Sequence, residues 1–181
     1  LGKAFWYSSS SGKFVTSTYY YDAYPEWVTA WNNAKHADAY KDQEWTLLHD
    51  RSTYLFADND DQPWEKSYKH LGGTFPHKIG SENEKDYYGG LRFTPHFDEL
   101  TVGFAKELMK QEKVGLGEYT DMLAVSLSAT DYIGHAFGPD SLEAEDNIRR
   151  LDRTLADFFK FIDEHVGLDN TLIALSSDPG T

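Results

Sequence analysis

Asp131 stands four residues ahead of His135, and Asp178 closes a second apolar stretch some forty residues later. An imidazole nitrogen and carboxylate oxygens are what zinc takes as ligands, at about 2.0–2.2 Å, provided separate elements bring them to one place. The chain has no cysteine, so disulfides and thiolate sites are excluded and His, Asp and Glu are the strong ligands left. Such sites accept several divalent ions, which leaves the identity of the metal open. The same spacing also describes a turn carboxylate beside a hydrogen-bonded imidazole, and spacing alone does not separate the two readings.

The elements around these residues favour a meeting. Met122-Leu123-Ala124-Val125-Ser126-Leu127 and Thr171-Leu172-Ile173-Ala174-Leu175-Ser176 are short apolar runs of the kind that form strands buried on both faces of a parallel sheet. Between them Ile148, Leu151, Leu155, Phe158, Ile162 and Val166 recur three and four apart, which predicts a long amphipathic helix. Asp140 and Glu143 are placed as a capping box for it and Gly167 as its stop. Residues 122–176 therefore read as a right-handed strand–helix–strand unit with parallel strands. Ligands of open parallel sheets bind at the carboxyl ends of the strands, where Asp131, His135 and Asp178 fall. The turn Ala136-Phe137-Gly138-Pro139 would hold His135 in a fixed position.

Upstream, residues 4–7 and 13–20 read as two strands of a hairpin around Ser8-Ser9-Ser10-Ser11-Gly12. Pro25 opens a short helix with Trp27, Val28 and Trp31 on one face and Asp22 as a candidate cap. Residues 36–93 lack periodicity and read as an irregular cap layer. Leu100, Phe104 and Leu108 mark a helix that ends before Gly115, with Asp98 as its N-terminal cap. The expected architecture is α/β: a hairpin and cap region over 1–93, then an α/β core segment over 94–181, together one compact body.

Of the 181 residues 40% are hydrophobic and 15% aromatic, well above a disordered composition, and no apolar run approaches the ~20 residues of a membrane span. A net charge of −13 argues against nucleic acid or anionic membrane as partner. A phosphate-bearing substrate would have to meet local positive charge, and a metal ion supplies it. The opening Leu1-Gly2-Lys3 resembles neither a natural start nor a signal peptide, so an excised segment is expected. Its uncovered sheet faces would then favour self-association.

The run Asp131-Tyr132-Ile133-Gly134-His135-Ala136-Phe137-Gly138-Pro139 resembles the Asp-x-x-Gly-His-x-x-Gly-Pro motif of the type I phosphodiesterase and nucleotide pyrophosphatase group within the alkaline phosphatase superfamily. Gly2-Lys3-Ala4-Phe5-Trp6-Tyr7, Thr16-Ser17-Thr18-Tyr19-Tyr20 and Asn147-Ile148-Arg149-Arg150-Leu151-Asp152 are similar to the periplasmic bacterial alkaline phosphatases of that group, which use a threonine nucleophile. The resemblance implies a two-zinc site with Asp131 and His135 on one ion and Asp178 on the other. It also implies a small-molecule phosphate ester as substrate, a covalent phospho-threonine, and a periplasmic or secreted location. Pro179 stands where the pattern has a second ligand, His, and cannot ligate.

By the same resemblance the nucleophile and the phosphate-gripping Lys and Arg precede Leu1, so the isolated chain is expected to be inactive. Thr16, Thr18 and Thr130 match no nucleophile motif. A phosphodiesterase or pyrophosphatase shares the motif, and a binding module with a vestigial metal site is the alternative of another class. His36, His49, His70, His77, His96 and His165 are read as structural or solvated, Asp58–Asp61 as a solvated turn, and the tryptophans as packing residues.

Overall fold

The computed structural model describes residues 2–66 and 70–177. Strands β1 (Trp6–Ser8) and β2 (Lys13–Val15) form the expected hairpin, antiparallel, with Tyr7 opposite Phe14. The strands are shorter than the apolar pattern suggested, because the chain turns at Ser17–Tyr21. Gly12 closes the connection at φ +67°, and a Cβ there would lie 2.4 Å from the Tyr88 ring, so turn geometry and close packing both require glycine. Helix α1 (Glu26–Asn33) follows Pro25 directly and has no side-chain cap. Asp22 therefore does not fill the capping role expected of it.

The cap region holds more regular structure than its composition suggests. Besides single 3-10 turns, β3 (Glu44–Trp45) pairs antiparallel with β4 (His77–Lys78), and Glu84–Leu91 forms helix α2. Asn83 starts α2 by accepting hydrogen bonds from the Lys85 and Asp86 N–H groups. Gly89-Gly90 masks this helix in the sequence, yet its Tyr87, Tyr88 and Leu91 are buried at helical spacing.

Helices α3 (His96–Gln111), α4 (Ala129–Phe137) and α5 (Leu142–His165) complete the fold. The cap of α5 is Ser141, whose hydroxyl accepts from the Ala144 N–H at 3.0 Å, rather than Asp140. Glu143 turns inward to His77 instead of closing a capping box. Gly167 stops the helix as expected, at φ +91°.

Two apolar clusters hold these elements. In the first, Phe14, Val28, Trp45, Tyr87 and Leu91 pack with Phe97 and Phe104 of α3 and with Ile133 and Phe137 of α4. Each such side chain contributes about 1.5–3 kcal/mol by leaving water. In the second, Val102, Ala105 and Met109 meet Phe158 and Ile162 across the α3–α5 seam.

The segments on either side of α5 depart from the expected sheet. The ladders among the described residues are β1–β2 and β3–β4, so neither 122–127 nor 171–176 is paired there. Burial still alternates along 122–127 with the period of a strand. Leu123, Val125 and Leu127 lie on the α3–α5 cluster, while Met122 is 93% exposed. Leu172, 96% exposed, and Leu175 are likewise open. These segments have one face or none covered, not the two that a buried parallel strand has.

Candidate metal centre

The residues of the nine-residue motif form α4 and the turn after it, not a loop between strand and helix. Ala129, Ile133, Ala136 and Phe137 recur at helical spacing and are buried in the first cluster. That orientation turns the opposite face outward. Asp131 and His135, four apart, share this outer face with side chains 71% and 73% exposed, and His135 Nε2 lies 3.3 Å from Asp131 Oδ1. An oxygen donor and a nitrogen donor thus stand side by side on one rigid surface.

Both ends of α4 are held from outside it. At the C-terminus Gly138 adopts φ +103°, and a Cβ there would lie 3.2 Å from Trp64 Nε1, so the sharp exit belongs to glycine. The Lys66 N–H donates to the Ala136 carbonyl at 2.7 Å, tying the cap layer to the same turn. At the N-terminus Ser128 occupies the cap position without capping, its hydroxyl bonded instead to that of Ser126. The Ala129 N–H donates to Asp98 Oδ1 at 3.1 Å, and Asn147 Nδ2 donates to Thr130 Oγ1 at 2.9 Å. Asp98 therefore caps α4 across space rather than its own helix, contrary to the sequence expectation.

Three buried carboxylates surround this frame. Burial pushes the Asp98 carboxyl up to about 6, against the pull of the Ala129 and Ser128 N–H groups, and the Glu99 charge adds to the rise. Its Oδ2 is buried without a partner. Burial likewise raises Glu143, although His77 Nε2 at 3.0 Å from Oε1 opposes it. Asp146 accepts from Trp45 Nε1 at 2.6 Å, the Tyr54 hydroxyl at 2.5 Å, the Leu48 N–H at 2.8 Å and Arg150 Nε at 2.7 Å. None of the three was singled out as part of a site by the sequence pattern. The one local signal was the Asp146-to-Arg150 spacing, because the other partners are distant in sequence.

Most of the remaining histidines have structural surroundings. His77 is buried against Glu143, His96 Nδ1 lies 2.9 Å from Glu99 Oε2, and His36 packs on Trp31. His165 stacks on Phe161, and His70 Nε2 lies 2.8 Å from the Ile79 carbonyl oxygen. Asp178 and Pro179 lie outside the described residues. Among the described residues no group of three or more His, Asp or Glu is arranged to hold a metal ion. Asp131 and His135 fit as two members of a shell, since their donor atoms are adjacent, exposed and of the types zinc takes.

This fold and this helix belong to a defined class. The model of the type I phosphodiesterase / nucleotide pyrophosphatase family matches residues 2–181, and the chain belongs to that family. It is 39% identical over 178 residues to alkaline phosphatase PhoV of Synechococcus elongatus, covering 98% of this chain and 32% of that protein. It is also 39% identical over 181 residues to alkaline phosphatase PafA of Elizabethkingia meningoseptica, covering 98% of this chain and 33% of that one. The crystal structure of wild-type PafA superposes with a TM-score of 0.83 at 37% identity, over 92% of this chain and 32% of the other. The chain thus has the α/β fold of that enzyme and spans about a third of the length of the relatives it matches.

Proposed function

We propose that this chain is the part of a metal-dependent phosphomonoester hydrolase that supplies Asp131 and His135 to one zinc ion and Asp178 to a second. The observation that carries the reading is that the motif folds as α4 and its exit turn, which sets the two donor groups 3.3 Å apart on an open face. The names of the relatives, alkaline phosphatases, favour monoester over diester as substrate. The family resemblance extends the reading to a periplasmic or secreted location, and no helix among the described residues is long and apolar enough to cross a membrane.

In this reading the bound zinc supplies charge neutralisation for the phosphoryl group and activation of the attacking oxygen. Asp131 contributes a carboxylate oxygen and His135 its Nε2, both fixed by the buried underside of α4. Pro179 cannot donate, so the second ion takes one ligand fewer from this segment than the family pattern provides. The nucleophile is a threonine supplied by another segment and phosphorylated during turnover, and the 181 residues alone bind metal without releasing phosphate.

The test is activity in the full-length protein that carries this segment. Phosphate release from a nitrophenyl monoester should exceed release from the matching diester, and Asp131→Ala or His135→Ala should each lower kcat/KM by about a thousandfold or more. Monoester turnover within threefold of the parent in both variants would contradict the assignment.

A further inference from the structure

Resting on the zinc reading of α4, we infer that Asp98 is a positioning residue for the metal: its carboxylate, reaching from α3, fixes the helix that presents Asp131 and His135. A nine-residue helix is too short to hold itself in water, and its unpaired N–H groups need acceptors. Ser128 occupies the cap position yet makes no capping bond, its hydroxyl being engaged by Ser126. The acceptor instead comes from a residue thirty-one positions upstream.

Asp98 is 2% exposed, so the bond to the Ala129 N–H is not shared with solvent. Asn147 of α5, also buried, holds the adjacent Thr130 hydroxyl. The first turn of α4, which contains Asp131, is therefore gripped by two helices at once. One helical turn later comes His135, so a rotation of α4 about its axis would carry both donors away from a shared ion. The orphaned Asp98 Oδ2 points the same way. An ionisable side chain left half-satisfied in the interior is costly, and its retention is understandable if the bond it does make serves the ligands. Groups behind the ligands of a metal site typically change metal affinity by about ten- to a hundredfold.

Zinc calorimetry on the 181-residue chain tests this with three variants. Asp98→Ala should weaken zinc binding by about tenfold or more. Asp98→Asn, which keeps an oxygen to accept from Ala129, should stay within about threefold of the parent. Ile162→Val, a mild truncation in the other apolar cluster, should lower stability and leave affinity unchanged. Parent-like affinity in Asp98→Ala, or equal losses in Asp98→Ala and Asp98→Asn, would overturn the inference while leaving the zinc reading standing. Absence of zinc uptake by the unsubstituted chain would overturn both. Amide exchange separates a clamp from general loosening, since Asp98→Ala should accelerate exchange in α4 selectively over α5.

Discussion

Asp98 carries a cost that pH exposes. Its carboxyl rises from 3.8 to about 6 because burial disfavours the charge. The folded chain then holds this proton more tightly than the unfolded chain, so the contribution of Asp98 to stability is fully present below about pH 4, is lost as pH rises toward 6, and is level above. The rise corresponds to about 3 kcal/mol. Asp98→Asn should therefore raise stability by about 1–3 kcal/mol at pH 7.5 and by little at pH 4, read from urea unfolding at both values. Equal effects at the two pH values would contradict the assignment of the burden to the charge. The sequence reads Asp98 as the cap of its own helix, α3, and the structure gives its carboxylate to α4 instead. What the sequence did not reveal is which helix, since the bond spans thirty-one residues and no local spacing encodes it.

At the scale of elements, α5 is bound to the cap layer through polar groups as well as apolar ones. Asp146, on α5, receives hydrogen bonds from Trp45 of β3, from the Leu48 backbone, from Tyr54 and from Arg150. Glu145, one position earlier, accepts from the Leu55 and Phe56 N–H groups; these and Arg149 hold it below the ordinary glutamate range although burial pulls upward. Asp146→Ala would leave several donors unpaired at once and should cost about 3–5 kcal/mol, measurable by denaturant unfolding, with a loss of Trp45 burial seen in fluorescence. A cost below about 1 kcal/mol would contradict the role given to Asp146 in holding the cap layer. The periodic helices α3 and α5 were legible because Leu100, Phe104 and Leu108, and Ile148 through Val166, repeat at helical spacing. Helix α2 was not, because Gly89 and Gly90 suppress the local propensity that tertiary burial restores.

At the scale of the whole molecule, one apolar cluster spans the hairpin, α1, the cap layer, α3 and α4, so the helix bearing Asp131 and His135 is seated by its buried side in a core drawn from all of them. The motif was readable from residue types alone, whereas its helical geometry depended on Ile133 and Phe137 finding a core built largely from residues upstream of it. The strand-like runs 122–127 and 171–176 were legible as apolar segments, but their pairing was not, since a ladder requires neighbours that apolar character does not specify. With a net charge of −13, the chain would need the cation of the proposed function to hold an anionic group at that face.

The most direct test is zinc titration by calorimetry on this chain and on its Asp131→Ala and His135→Ala variants, with phosphate release measured in parallel. The account predicts zinc uptake by the parent chain, loss of more than tenfold in affinity in each variant, and no phosphate released by any of the three; uptake that neither substitution alters would contradict the metal assignment.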